Sequence, residues 1–209
     1  MQGQALDKRQ RRSLGDSARF LKSLVVAPRL TGAVAPSGRA LARAMAAAIG
    51  VEAPGLIVEL GPGTGPVTRA LIESGVAPDR LVLIEYDPGF CQLLRQRFAP
   101  ARVVRGDAYD LRRTLAGLAD EPIAAFVSSL PLLNQPPERR ERLLSDAFAL
   151  MGLSGRFVQF TYGLGSPIPR EALAGRYVAE CSRPILLNLP PARVWTYRLA
   201  QHSAGGRPR

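Results

Sequence analysis

The stretch Leu56-Ile57-Val58-Glu59-Leu60-Gly61-Pro62-Gly63-Thr64-Gly65 decides the fold. Its first five residues, four of them apolar, read as a short strand buried on both faces, the signature of a parallel sheet. Glycines at alternate positions follow. Glycine adopts backbone conformations closed to other residues and lets a ligand come close to the main chain. Pro66 then opens a helix over residues 66–74, where the missing proline amide belongs to the unpaired first turn in any case. A glycine loop running into a helix N-terminus presents free amides to a polar ligand.

Outward from this stretch the alternation repeats. Strands are expected at Leu81–Glu85, Arg102–Arg105, Ile123–Ser128 and Arg156–Tyr162. Helices are expected from Asp87-Pro88 to about Phe98, over Asp110–Leu118 and over Pro137–Met151. Upstream, Ser37 is positioned to cap an alanine-rich helix ending near Ile49, and Pro54-Gly55 is a turn. Downstream, Tyr177–Leu187 and Ala192–Leu199 read as two strands joined across Pro190-Pro191, an antiparallel hairpin at the end of the sheet. The pattern predicts an α/β fold with a mostly parallel sheet covered by helices on both faces. It divides the chain into an N-terminal helix and loop (1–36), an α/β domain (37–200) and a basic tail (201–209).

Two acidic residues identify the ligand. Glu85 ends the second strand, twenty positions past Gly65, where a carboxylate accepts ribose hydroxyls. Asp107 follows the third strand, where an acidic side chain meets an adenine amino group. The spacing Gly-x-Gly-x-Gly departs from the dinucleotide fingerprint Gly-x-Gly-x-x-Gly. Glu59, leading into the loop, suits an α-ammonium rather than a phosphate. The set points to S-adenosylmethionine, with an NAD(P) enzyme as the alternative. The candidate cofactor residues are Glu59, Gly61, Gly63, Thr64 and Gly65 from the first loop, and Glu85 and Tyr86 from the second. Asp107, Ala108 and Ser129 complete the strand ends, and Thr31 and Gly32 belong to a loop expected beside the cofactor.

Charge narrows the surroundings. The 209 residues carry 28 basic and 17 acidic side chains, a net charge of +11. Residues 1–43 contribute +7, 44–155 contribute −2 and 156–209 contribute +6. A near-neutral middle between two basic ends suits a polyanion, either nucleic acid or an anionic membrane surface. Cys91 and Cys181 form no metal-binding spacing, and His202 is the single histidine. That composition excludes a histidine-built zinc site and a Ser-His-Asp triad, and no metal is expected. No apolar run is long enough to span a bilayer, and the basic N-terminus lacks a signal-peptide core. A cytoplasmic protein with reduced thiols is expected.

Residues 8–26 project as an amphipathic helix at about 100° per residue. Leu14, Ser17, Ala18, Phe20, Leu21, Leu24 and Val25 share one face, opposite Arg9, Arg11, Arg12, Asp16, Arg19, Lys22 and Ser23. This is the form of an interfacial helix; a surface helix packed on its own domain has the same projection. Read as interfacial, Arg9, Arg11, Arg12, Arg19 and Lys22 meet anionic lipid while Phe20, Leu21 and Leu24 insert.

Several runs carry a family resemblance. They are Phe20-Leu21-Lys22-Ser23, Thr31-Gly32-Ala33-Val34-Ala35-Pro36-Ser37 and the glycine loop. To these add Ser128-Ser129-Leu130-Pro131-Leu132-Leu133-Asn134, Gln159-Phe160-Thr161-Tyr162-Gly163 and Leu189-Pro190-Pro191-Ala192-Arg193-Val194-Trp195. The chain resembles the bacterial phospholipid N-methyltransferases, class I S-adenosylmethionine-dependent enzymes. The resemblance implies a seven-stranded sheet with its last strand antiparallel. It also implies stepwise methylation of phosphatidylethanolamine towards phosphatidylcholine by a peripheral enzyme on the inner face of the cell membrane.

The nearest competitor is the rRNA adenine dimethyltransferase family, whose corresponding loop reads Asn-Leu-Pro-aromatic. Ser129-Leu130-Pro131-Leu132 lacks the ring on which a flipped base stacks. A non-catalytic membrane-binding module is the third reading, opposed by the intact Glu59, glycines and Glu85. For an amine acceptor, Ser129 and the carbonyls of Leu130 and Pro131 are the expected orienting groups. Tyr162 is the expected aromatic face for a methylated nitrogen, with Tyr177, Tyr109 and Trp195 behind it.

Overall fold

A computed structural model describes residues 36–50, 54–118, 121–188 and 190–200. Seven strands form one sheet in the order β3-β2-β1-β4-β5-β7-β6. They are β1 (Leu56–Leu60), β2 (Leu81–Glu85), β3 (Arg102–Arg105), β4 (Ile123–Ser128), β5 (Arg156–Thr161), β6 (Tyr177–Cys181) and β7 (Arg193–Leu199). The first five are mutually parallel, and β7 runs antiparallel between β5 and β6. This is the class I methyltransferase architecture expected from the sequence.

Every residue of β1 and β2 is buried, because helices cover both faces. On one side lie α1 (Pro36–Ile49), α2 (Pro66–Glu73) and α3 (Pro88–Phe98), packing Met45, Leu71 and Leu94 against Ile57, Leu83 and Val127. On the other lie α4 (Leu111–Thr114), α5 (Pro137–Met151) and the short α6 (Arg170–Leu173), packing Leu111, Leu144 and Ala172 against Val58, Phe126 and Phe157. The chain leaves β1 towards β2 and β3 on one side and reaches β4 on the other. That reversal opens a crevice at the carboxyl ends of β1 and β4. Register brings Leu60 level with Ile84 and Ser128, and Ser128 level with Gln159. The candidate residues at these strand ends therefore share one edge.

Four local expectations change. The first described helix begins at Pro36, one residue before the expected cap. The helix expected over 110–118 breaks into α4 and a 3₁₀ turn at Ala116–Leu118, containing the poor helix former Gly117. The strand expected to Leu187 stops at Cys181. Beyond it the Ser182 amide still donates to the Val194 carbonyl at 2.8 Å, Pro184 has no amide to pair, and the last pairing is an isolated Ile185–Ala192 bridge. The helix α6 has no counterpart in the sequence reading. Asp87 does cap α3, its Oδ1 accepting the amides of Gly89 (2.8 Å) and Phe90 (3.0 Å).

Candidate active site at the carboxyl edge

The glycine loop turns tightly because three of its residues are left-handed. Gly61, Gly63 and Gly65 have φ of 68°, 57° and 80°, a region that favours glycine. Gly65 is also sterically closed: a Cβ there would lie 2.2 Å from the Phe98 ring. Its amide donates to the Pro62 carbonyl at 2.9 Å, closing the turn that starts α2.

Glu59 points from β1 towards the first turn of α2 and is fully buried. Its Oε2 accepts the Thr68 hydroxyl at 2.6 Å, while its Oε1 is buried without a hydrogen-bond partner among the described residues. Burial is the main force on its acidity. It outweighs the Thr68 hydrogen bonds and, with the nearby Glu85 charge, pushes the carboxyl up to about 7. A buried acceptor with spare capacity and a readily neutralised charge is suited to a cationic donor.

Glu85 is committed differently. Its Oε1 accepts the amides of Tyr86 (2.8 Å) and Asp87 (2.9 Å), and its Oε2 that of Gly63 (3.0 Å). A carboxylate offers about four acceptor positions, so three are used in tying the β2 turn to the glycine loop. Tyr86 is 71% exposed beside it, and the Thr64 carbonyl accepts Arg97 Nη1 at 3.3 Å. Asp107 accepts the Tyr109 amide at 2.8 Å, and its second oxygen lies 3.6 Å from Arg139 Nη2. Ala108 is buried behind it. Arg139 also stacks over the Tyr109 ring at 4.2 Å and donates to Gln135. It thus clamps α5 to the turn after β3. Burial raises the Tyr109 phenol further above its ordinary value.

The loop after β4 begins with the Ser129 amide donating to the Leu60 carbonyl at 2.9 Å. The Ser129 hydroxyl is half-buried, with no hydrogen-bond partner among the described residues. The neighbouring Ser128 makes the local bond instead, accepting the Leu130 amide at 3.4 Å. The Leu130 carbonyl accepts two donors, the Leu132 amide and Gln159 Nε2, both at 2.9 Å. Both its lone pairs are occupied, which removes it as an amine-orienting group. The Pro131 carbonyl accepts the Asn134 amide at 3.0 Å and keeps one position. The Leu130 side chain is buried over Gly61, where a Cβ would meet it at 2.8 Å.

Tyr162 sits just past β5, 41% exposed, its ring edge-on to Phe160 at 5.4 Å between centroids. Tyr177 does not join it. Tyr177 begins β6 opposite Leu199, at the far end of the sheet, and packs against Phe148 with ring centroids 5.0 Å apart. It is a core residue, because β6 enters the sheet from the amino edge. Trp195 pairs with Gln159 in mid-sheet. Thr31, Gly32 and the whole 8–26 segment lie outside the described residues.

Gln159 and Thr68 were not singled out as site residues. Thr68 follows Glu59 by nine positions and becomes its partner only once α2 folds back on β1. Gln159 had the clearer signal, a polar residue at a position where the strand is otherwise apolar. Among the described residues no cluster of His, Cys, Asp and Glu is arranged to hold a metal.

Residues 41–127 match the family described as ribosomal RNA adenine dimethylase. The chain is 38% identical to the ornithine lipid N-methyltransferase of Singulisphaera acidiphila over 132 residues, covering 61% of this chain and 68% of that protein. The chain belongs to this N-methyltransferase family, within the class I S-adenosylmethionine-dependent methyltransferases. The family expected from the sequence runs is the one found. This methyltransferase is also 37% identical to the ribosomal RNA small subunit methyltransferase A of Synechococcus sp. (strain JA-3-3Ab), over 152 residues. That match takes in 66% of this chain but only half of the relative's length.

Among solved structures, the Burkholderia thailandensis 1,6-didemethyltoxoflavin-N1-methyltransferase superposes with a TM-score of 0.62. It shares 20% identity and 90% coverage of both chains, and was solved with S-adenosylhomocysteine bound. The likeness establishes the fold. The methyltransferase's own residues fit the family's cofactor, S-adenosylmethionine. Glu59 Oε1 is a buried acceptor, unpartnered among the described residues, of the kind an ammonium requires, and the left-handed glycines leave the loop backbone open at three of its five positions.

Proposed function

We propose that this methyltransferase transfers methyl groups to the primary amine of a membrane lipid headgroup, with phosphatidylethanolamine as the acceptor and phosphatidylcholine as the end product. The observation that carries this reading is the loop after β4. Ser129-Leu130-Pro131-Leu132 offers a small hydroxyl and aliphatic walls, with Leu130 and Leu132 buried, and no ring on which a base could stack. The likeness to an ornithine lipid N-methyltransferase supports a lipid amine. An ornithine lipid headgroup is the competing acceptor of the same chemistry.

When bound, S-adenosylmethionine supplies an electrophilic methyl group. In this reading Glu59 holds the α-ammonium through Oε1, and Glu85 uses its remaining acceptor position for ribose. Asp107 and Ala108 face the adenine, with Tyr86 flanking it. The Thr31-Gly32 loop, placed beside the cofactor by sequence alone, belongs to the same proposal. The Ser129 hydroxyl and the free position on the Pro131 carbonyl orient the acceptor amine. Alignment in a partly dry cleft accelerates displacement, and partial burial favours the neutral, nucleophilic amine over the ammonium. Tyr162 lends its exposed face to the increasingly substituted nitrogen, a contact worth about 0.5–2 kcal/mol. The 8–26 helix brings the enzyme to the inner face of the cell membrane as a peripheral protein. Among the described residues no helix is long and apolar enough to cross a bilayer.

The rRNA reading retains one observation in its favour, the match of residues 41–127 to an adenine dimethylase family. That segment ends at Val127, before Ser129 and the acceptor loop. Labelled S-adenosylmethionine offered separately with phosphatidylethanolamine vesicles, ornithine lipid vesicles and unmodified rRNA tests the proposal. Label in phosphatidylethanolamine is expected. Label in ornithine lipid alone would reassign the acceptor, and label in rRNA alone would overturn the lipid reading. Removal of residues 1–26 is expected to weaken vesicle binding; unchanged binding would overturn the role given to that helix.

A further inference from the structure

Eight large apolar side chains are exposed among the described residues, and they are not scattered. Six of them, Tyr86, Leu133, Tyr162, Leu164, Leu186 and Leu187, lie on the carboxyl edge that carries the candidate active site. Topology places the last two there. Arg193 at the start of β7 pairs with Thr161 at the end of β5, so the turn joining β6 to β7 rises from the same edge. Leu186 and Leu187 at its tip are 76% and 78% exposed, and Leu164 after β5 is 89% exposed. The β4 and β5 loops touch: a Cβ on Gly163 would meet the Leu133 side chain at 3.1 Å.

Charge follows the same partition. The loops 129–136, 162–169 and 182–192 contain no carboxylate, and their single charged residue is Arg183. Arg183 is exposed, and Arg193 lies at the root of the same turn. Exposed leucines on uncharged loops rimmed by arginine are costly in water and have no core to protect. They are matched to one environment, an apolar layer beneath an anionic surface.

We infer that the three loops after β4, after β5 and between β6 and β7 form a second bilayer-docking surface, in which Leu164, Leu186 and Leu187 enter the acyl region while Arg183 meets anionic headgroups. The inference builds on the proposed lipid acceptor and extends it. The fold's active edge itself is pressed to the membrane, so a headgroup reaches the cleft without leaving the bilayer. It assigns membrane contact to the catalytic domain, independently of the 8–26 helix.

The test uses the full chain and reads binding rather than methylation. Co-sedimentation with vesicles of phosphatidylethanolamine and phosphatidylglycerol is compared for wild type, Leu186→Ser/Leu187→Ser and Leu153→Ser. Leu153 is 87% exposed on the turn before β5, at the opposite edge, and serves as the matched control. The double variant is expected to lose roughly tenfold or more in vesicle partitioning, with Leu153→Ser unchanged. In a second measurement, Leu187→Trp gains fluorescence that lipids brominated on the acyl chain quench. Equal binding by the double variant and wild type, or equal loss by Leu153→Ser, would overturn the inference. So would an unquenched Leu187→Trp, or concentration-dependent self-association abolished by the same substitutions. Because no step requires methyl transfer, absence of labelled lipid with the binding pattern intact would remove only the proposed acceptor.

Discussion

The carboxyl edge of the sheet has two halves built on opposite principles. Around β1, β2 and β3 it is polar and tightly bonded. Glu59 and Glu85 are buried, and three amides converge on Glu85. Around β4, β5 and β7 the loops are uncharged apart from Arg183 and bear exposed leucines. The first half suits a ligand shared by many enzymes and resembles many of them. The second half carries the acceptor side of the proposal, where Ser129-Leu130-Pro131-Leu132 offers no ring on which a base could stack. The match to the adenine dimethylase family ends at Val127, before these loops, and so carries little information about the acceptor.

Substitutions in the two halves are expected to fail in different ways. The largest effect belongs to Gly65→Ala. Left-handed strain and collision with Phe98 together cost on the order of 3 kcal/mol. Urea unfolding should show that loss, and cofactor binding should fall with it. Wild-type stability after the same substitution would mean that the turn relaxes freely.

Glu59→Gln comes next. Removing the charge while keeping the shape is expected to weaken S-adenosylmethionine binding by roughly 10- to 100-fold, measured by calorimetry, with little loss of stability. The pH dependence has a defined sign. The folded carboxyl, at about 7, lies above its unfolded value of 4.5. The folded state therefore holds the extra proton, and stability falls as pH rises from about 4.5 to 7, by on the order of 3 kcal/mol. Cofactor binding runs the other way, tightening as the carboxylate forms. Glu59→Gln should flatten both slopes; a persistent slope would assign the titration elsewhere.

In the acceptor half the effects are smaller and leave the cofactor untouched. Tyr162→Ala is expected to lower methyl transfer by about tenfold on already-methylated acceptors, with Tyr162→Phe close to wild type. An equal loss on unmethylated acceptor would point to packing against Phe160 rather than to a cation. Ser129→Ala, removing one neutral hydrogen bond, is expected to lower kcat by about fivefold at unchanged cofactor affinity. A drop in cofactor affinity would instead give Ser129 the cofactor contact that its place after β4 also allows.

The cofactor half was legible in the sequence because its determinants are local. Glycine spacing, the Asp87-Pro88 cap and carboxylates at strand ends need no tertiary context. The partners of those carboxylates were not legible. Glu85 looked free for a ligand until the fold brought the Gly63 amide to it, and the Leu130 carbonyl looked free until β5 presented Gln159. Tyr177 failed for a related reason. An aromatic at the start of a terminal strand can lie at either edge, and only the antiparallel insertion of β7 sends it to the far one. The leucines of the β6–β7 turn were hidden inside an expected strand, which Pro184 ends early. Once β6 stops at Cys181, those side chains become an exposed tip.

The central claim is that a shared cofactor half serves a lipid-facing acceptor half. It is tested most directly in one vessel holding labelled S-adenosylmethionine, phosphatidylethanolamine vesicles and unmodified rRNA together. The account predicts label in the chloroform-extracted lipid and none above background in the RNA. Label in the RNA with unlabelled lipid would contradict it.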